Sequence, residues 1–114
     1  MNKKIFHGAI LESIILNLIN DNSNLGLHGY AISRAVNEKF GVHLGPSTIY
    51  PELRQLEKHG LVASNWEFTL GKTRRQYRIT RKGQGLMTEY NVELKTLIPI
   101  LRPREPSLKK GSIN

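Results

Sequence analysis

The sequence predicts a mainly helical α+β fold, a winged helix-turn-helix with a two-stranded wing and a long C-terminal dimerisation helix. Three observations support this fold class. A helix with one apolar and one polar face follows another helix after a short connection. The apolar period then changes from about 3.6 to about 2, as in a β-hairpin, and returns to about 3.6 in the last long segment. Two helices followed by a hairpin have the anatomy of a winged helix.

Composition indicates a single domain with an anionic partner. The 114 residues suit one modest core that a partner subunit would help to complete. Lys and Arg number 17 against 9 Asp and Glu, and the formal net charge of +8 favours nucleic acid first and a membrane surface second. There is no Cys, which excludes a disulfide framework and a thiolate metal site. Because neither a membrane span nor a signal peptide is visible, we expect a cytoplasmic protein.

Two helices are predicted in the first part of the chain. Isoleucine and leucine recur at helical spacing from about Ile5 to Asn20, and the polar cluster at 21–24 should end this first helix. A second helix is predicted from about His28 to Phe40, ended by Gly41. Its inward residues are predicted to be Tyr30, Ala31, Ala35 and Val36. A short extended stub, Val42 to Leu44, is predicted to follow.

The stretch from Pro46 to Gly60 is predicted to be the helix that meets the partner. Ser47 is predicted to cap this helix, which leaves Pro51 in the first turn, where a missing N–H costs little. One face carries a core stripe of Ile49, Leu53 and Leu56. The opposite face is polar and consists of Ser47, Thr48, Pro51, Arg54, Gln55 and Lys58.

This polar face is predicted to lie in the major groove of DNA. Ser47 and Thr48 would bond phosphates at the helix N-terminus. Arg54 and Gln55 are the candidate base readers, because Arg matches guanine and Gln matches adenine in a bidentate way. A solvated surface helix is the alternative, and the basic hairpin that follows in the chain argues against it.

Two further side chains of this helix have less defined roles. Tyr50 lies about 90° from the centre of either face, so both a phosphate contact and simple packing at the helix flank are open. Lys58 is expected to meet the DNA backbone.

A basic β-hairpin is predicted after Gly60. Alternation runs from Val62 to Phe68, a turn is predicted at 69–73, and alternation resumes up to Ile79. No acid occurs between Glu67 and Glu89, while six cations do: Lys72, Arg74, Arg75, Arg78, Arg81 and Lys82. The wing cations predicted to reach phosphates or the neighbouring minor groove are Lys72, Arg74 and Arg75. A solvated charged face is the alternative.

Thr80 is predicted to cap a last helix from about Arg81 to Leu101. Its apolar stripe consists of Leu86, Tyr90, Leu94, Leu97, Ile98 and Leu101. A small core has little room for so long a stripe, so a twin helix from a second subunit is predicted, with packing inside the same chain as the alternative. We therefore expect a DNA-binding domain at residues 1–80, a dimerisation helix at 81–101 and a flexible basic tail at 102–114.

The chain resembles the PadR-like transcriptional regulators over about residues 8 to 101. The segments that carry the resemblance are His28-Gly29-Tyr30, Ser47 to Glu57, Gly60-Leu61-Val62, Trp66, Arg74 to Thr80, and Lys82-Gly83. The resemblance implies a homodimer that binds double-stranded DNA and represses transcription at inverted-repeat operators, often relieved by a small-molecule effector. By length the chain looks like the short members, which end in one long helix. Its last helix lacks the Trp that drug-binding short members can use.

Other functional classes fit the sequence less well. An enzyme is disfavoured, because the four His residues lack metal-ligand spacing and no Gly-rich phosphate loop occurs, so neither a cofactor nor a metal is predicted. A membrane partner is disfavoured, since the cations lie on a hairpin rather than along an amphipathic helix. A winged helix that coats DNA without operator specificity, or that binds another protein, would keep this fold and charge and is the alternative function.

Overall fold

The computed structural model describes residues 3–22, 26–41 and 44–101. Within them the elements follow in the order α1 (Lys3–Asp21), β1 (Leu27–His28), α2 (Gly29–Phe40), α3 (Pro46–Lys58), β2 (Val62–Thr69), β3 (Lys72–Ile79) and α4 (Arg81–Leu101). This confirms the mainly helical winged-helix fold. The predicted stub begins at Val42, which lies outside the described residues, as does the predicted basic tail at 102–114.

The hydrophobic core lies where α1, α2 and α3 meet the sheet. Its fully buried side chains are Ile15, Leu16, Ile19, Ile32, Val36, Ile49, Leu53, Leu56 and Val62. The predicted stripe of α3 is confirmed, because all three of its apolar residues are 0% exposed. Burial of that stripe stabilises α3 against the core and turns its polar face outward.

The inward face of α2 differs from the prediction at two residues, Tyr30 and Ile32. Tyr30 was expected inside and is 68% exposed, whereas Ile32 and Val36 are buried. Tyr30 precedes Ile32 by two residues, so on a helix it points about 200° away, toward the opposite side. The prediction for Val36 is confirmed, and the prediction for Tyr30 is wrong.

The sheet has three antiparallel strands in the order β1-β3-β2. The wing, residues 62–79, supplies the two strands that the sequence predicts, and β1 adds a third by pairing Leu27 with Tyr77 and His28 with Gln76. Sequence reasoning missed β1, because two residues are too few to show an alternation. Gly26 leads into this strand with φ 76°, and a Cβ there would lie only 2.7 Å from Cγ of Gln76.

The wing turns more tightly than the sequence predicts. Strands β2 and β3 pair without interruption from Val62 opposite Ile79 to Thr69 opposite Lys72. Only Leu70 and Gly71 remain for the turn, with φ values of 54° and 76°. Two residues of positive φ match the right-handed twist of the strands, as in a type I′ hairpin.

A compact joint connects the end of α3 to the start of α4. The Thr80 hydroxyl accepts a hydrogen bond from the Gly83 N–H at 3.0 Å, which confirms the predicted cap, and donates to the Gly60 carbonyl at 2.6 Å. A Cβ on Gly83 would lie 2.0 Å from the Leu61 carbonyl oxygen, so the first turn of α4 rests directly on that backbone. Lys82 Nζ donates to the His59 carbonyl at 2.9 Å.

None of the helices in the described part of the chain is both long and apolar enough to cross a membrane.

Candidate nucleic-acid interface

The polar face of α3 is uncovered along its whole length. All six side chains predicted there are exposed: Ser47, Thr48, Pro51, Arg54, Gln55 and Lys58. Because the apolar face of α3 is packed into the core, the helix cannot turn about its axis to bring these outward side chains beneath another element. The structure thus brings the two candidate base readers, Arg54 and Gln55, together on an accessible surface.

The start of α3 corrects the predicted cap. The helix begins at Pro46 with Gly45 as N-cap in an extended conformation (φ −88°, ψ 177°), so Ser47 is a helical residue and not the cap. Pro is favoured at the first helical position because its φ suits the helix and its missing N–H has no partner there. Consequently Pro51 lies inside the helix rather than in its first turn. It cannot donate to the Ser47 carbonyl four residues earlier.

Tyr50 packs at the flank of α3 and lines the space beside it. A Cβ on Gly29 would lie 2.3 Å from Cε1 of Tyr50, so the ring occupies the position that a side chain at the start of α2 would need. The tyrosine is half-buried and joins the core from its edge. The packing alternative therefore holds for the ring, while the phosphate contact of its hydroxyl stays a prediction.

Arg75 braces the wing against α3. Its Nε donates to Ser64 Oγ at 2.8 Å, its Nη2 lies 3.6 Å from Oε1 of Glu57, and its guanidinium lies 5.2 Å from the centre of the Trp66 ring. Ser64 Oγ in turn donates to the same Glu57 carboxylate at 2.6 Å. The DNA contact predicted for Arg75 stays a prediction, and sequence reasoning missed its contacts with Glu57 and Ser64. The one available signal was that Arg75 alternates in phase with the inward Tyr77.

The DNA contacts predicted for the two other wing cations stay predictions. Lys72 and Arg74 are exposed on β3. They alternate with Arg75, so they stand on the opposite face of the hairpin from it, and both still line the space between the wing and α3. Together with α2 and α3 they enclose a groove of about 1200 Å³, which we call the α3–wing groove. Its charged lining consists of Arg34, Arg54, Glu57, Lys58, Lys72, Arg74 and Arg75. Because Glu57 is paired with Arg75, the groove presents net positive charge.

The second half of α4 presents an apolar face that the described chain leaves uncovered. Leu97 and Ile98 of the predicted stripe are 39% and 49% exposed, and Val92 and Ile100, which lie outside that stripe, are more exposed still. The first half behaves differently, since Leu86 and Tyr90 pack against the core of the same chain. For that half the same-chain alternative is the correct one. The side chain of Leu101 lies outside the described residues.

Polar contacts hold the first half of α4 to α1. The Tyr90 hydroxyl donates to the Glu12 carboxylate, and burial together with this hydrogen bond raises the pKa of Tyr90. Between the same two helices, Asn17 and Asn91 exchange two amide hydrogen bonds of 3.0 and 3.1 Å. Between the same helices lies an apolar cleft of about 190 Å³, bordered by Ile10, Leu94 and Leu97 among others.

Comparison with known proteins bears on both the fold and this interface. Residues 15–89 match the family model of the transcriptional regulator PadR-like family. The transcriptional regulator Rv3488 of Mycobacterium tuberculosis is 33% identical over 84 residues, which cover 74% of this chain and 75% of that protein. These proteins are regulators of transcription, which confirms the prediction that the chain is not an enzyme.

Solved structures show the same architecture. A PadR-like transcription factor from Bacteroides fragilis superposes with a TM-score of 0.73 at 25% identity, over 87% of this chain and 93% of that one. PadR of Bacillus subtilis, solved in complex with operator DNA, superposes with a TM-score of 0.61 at 23% identity, over 85% of this chain and 50% of that one. From its sequence match and its fold, the chain belongs to the PadR-like family of transcriptional regulators.

Proposed function

We propose that this regulator is a homodimer that binds double-stranded operator DNA sequence-specifically, with α3 in the major groove and the wing at the neighbouring minor groove. One observation carries the proposal. Arg54 and Lys58 of α3 line the same positively charged groove as the cations of β3, and the rest of the outward face of α3 is exposed beside it. The operator complex of the Bacillus subtilis relative supports the same use of the fold.

The exposed side chains divide by chemistry into base readers and phosphate contacts. Arg54 and Gln55 read base edges, because both can form bidentate pairs in the major groove. The phosphate contacts are Ser47, Thr48, Tyr50, Lys58, Lys72 and Arg74, with Pro51 packing beside them on α3. Arg75 acts through Glu57, as the brace that sets the angle between the wing and α3.

The uncovered end of α4 supplies the dimer contact in this proposal. Leu97 and Ile98 would pack against their copies in a second subunit, so that residues 81–101 form the dimerisation helix and residues 1–80 the DNA-binding domain. A twofold axis through this contact presents two copies of α3 to an inverted repeat. We also propose that the protein represses transcription in the cytoplasm. A small molecule bound in the apolar cleft between α1 and α4 would relieve this repression.

Base reading by α3 is tested with the variants Arg54→Ala and Gln55→Ala. Each should weaken binding to the operator upstream of this protein's own gene by about tenfold or more, as expected for one lost bidentate pair. Fluorescence anisotropy with operator and scrambled duplexes measures the difference. Lys39→Ala, an exposed cation on α2 outside the groove, is the matched control and should bind normally.

Competition distinguishes this function from sequence-independent DNA coating or protein binding. A specific regulator should keep a discrete operator complex against excess unrelated DNA, whereas an architectural protein should not. With three phosphate-binding cations, Lys58, Lys72 and Arg74, in each of two subunits, the affinity should fall with salt at a log–log slope of about −5. Absence of binding at low ionic strength would overturn the proposal altogether.

A further inference from the structure

The tip of the wing carries an apolar side chain in an unusual backbone conformation. Leu70 has φ 54°, and among the described residues it is the one non-glycine with a positive φ. The left-handed region is normally occupied by Gly, Asn or Asp in such hairpin turns, because a larger side chain crowds the following carbonyl. Leu70 is also 91% exposed, so no packing within the described chain offsets the cost of this left-handed conformation.

A second apolar side chain stands beside it on the side of the hairpin that faces α3. Phe68 is 73% exposed. It shares a strand face with Trp66 and Ser64, because side chains two residues apart on a strand point the same way. Ser64 bonds Glu57 of α3, which identifies that face as the one bordering the α3–wing groove. Two large apolar groups therefore extend the groove outward to the wing tip.

The charges around this apolar tip indicate the kind of partner that it would bind. Lys72 and Arg74 are exposed near it. Glu67, the one acid of the wing, lies opposite Arg74 in the strand register, and its carboxylate lies 3.6 Å from Nε2 of His28. An apolar tip followed by two cations on one strand is complementary to a base step next to phosphates. At about 3.3 Å per residue the eight-residue strands make a wing of about 25 Å, longer than the roughly 12 Å width of the major groove. The tip thus extends past the groove that α3 would occupy.

We propose that Leu70, flanked by Phe68, is an apolar wedge that enters the minor groove next to the α3 site and partly unstacks a base step, bending the duplex. The inference rests on the proposed function and deepens it. Residues with a strained backbone conformation occur preferentially at functional sites, and the conformation of Leu70 fits a binding role. Lys72 and Arg74, which share one face of β3, hold phosphates next to the step that the wedge opens.

The decisive variants are Leu70→Asn and Leu70→Gly. Both residues suit the left-handed turn, so the melting temperature of the protein should rise, while operator affinity should fall by about tenfold because the contacts that offset unstacking are lost. A side chain with a purely structural role would move stability and affinity in the same direction. Thr69→Ala, next to it on the same hairpin, is the matched control and should change neither quantity.

Bending is measured directly by energy transfer between dyes at the two ends of the operator duplex. The wild type should shorten the end-to-end distance, and Leu70→Asn should leave the DNA nearly straight. The salt slope should stay unchanged in Leu70→Asn and become less steep by about 1 per subunit in Lys72→Ala, since only the second variant loses a phosphate contact.

Two results would overturn the wedge. If Leu70→Asn binds and bends the operator like the wild type, the tip is not inserted, although the proposed function survives. If the wild type binds the operator without bending it, the wedge fails in the same way. A wild type that binds no DNA at all would instead remove the proposed function, and the wedge with it.

Discussion

Arg75 shows how one side chain's role is decided by its neighbours rather than by its charge. By sequence it belongs to a run of cations, and in the structure it is held by Ser64, Glu57 and Trp66. Its guanidinium is still partly exposed, so each contact is screened by water and the set contributes about 1 kcal/mol. The neighbouring Arg74 is exposed and has no such role in bracing α3.

The variants Arg74→Ala and Arg75→Ala should therefore distinguish the loss of a phosphate contact from the loss of the brace between the wing and α3. Arg75→Ala is expected to lower the melting temperature by about 5 °C, because it releases the brace between the wing and α3. Arg74→Ala should leave the melting temperature unchanged and make the salt slope of DNA binding less steep. Thermal melts and a salt titration of anisotropy measure both. Equal behaviour of the two variants would contradict the brace.

Glu52 predicts a pH effect on stability. Burial, and then the nearby Glu12 carboxylate, raise the pKa of Glu52 above its ordinary value. A carboxyl whose pKa is higher in the folded state favours folding while it is protonated. That stabilisation is present below the unfolded pKa and is lost as the pH rises through the folded pKa.

Glu52→Gln should therefore raise the melting temperature at pH 7 and change it little at pH 4, where the native carboxyl is already protonated. Glu12, whose carboxylate accepts the Tyr90 hydroxyl, stays in place in this variant. Melts of both proteins across this pH range measure the difference. The exposed Glu89→Gln on α4 is the control and should follow the wild type at every pH.

At the scale of elements, β1 depends on a glycine that the sequence does not distinguish from the others. Gly26→Ala places a side chain at φ 76° and within 2.7 Å of Gln76, so it should destabilise the protein by about 2 kcal/mol. Gly85→Ala makes the same chemical change inside α4 with no atom within 4 Å, and it should stabilise by up to about 1 kcal/mol. Urea denaturation measures both. Loss of stability in both variants would show that the close approach at Gly26 is not the cause.

How far the sequence predicts each element depends on how much of the signal is local. The apolar stripe of α3, the wing strands and the Thr80 cap follow from periodicity and capping chemistry inside their own segments, and all three are confirmed. The N-cap of α3 lies two residues earlier than predicted, at Gly45 instead of Ser47, because Ser is a good cap and Pro is a good first helical residue, and only the backbone conformation decides between the two starts.

Other features depend on contacts distant in sequence. β1 exists only because Tyr77 and Gln76 of β3 offer an edge to pair with. The outward position of Tyr30 follows from which side of α2 meets the core, and the brace of Arg75 needs α3 to lie beside the wing. The candidate DNA-contacting side chains of α3 were found by composition and spacing, and the structure places them on one exposed face.

At the scale of the whole molecule, the uncovered end of α4 predicts the oligomeric state. Ile98→Asp should convert a dimer into a monomer, because it places a charge in the apolar contact proposed between subunits. Operator affinity should then fall by about 100-fold or more, since each half-site would be bound alone. Light scattering coupled to gel filtration and anisotropy measure the two quantities. Thr96→Asp, an exposed polar position on the same helix, is the control.

In such a dimer, the joint between α3 and α4 would couple the orientation of one helix to that of the other. Thr80 bonds Gly60, Lys82 bonds the His59 carbonyl, and Gly83 lies against the Leu61 backbone, so the two helices meet without an intervening hinge. A change in the angle between the two α4 helices would then move both α3 helices relative to each other. The distance between the two DNA-reading heads, and with it the fit to operator spacing, would be set at the far end of the molecule.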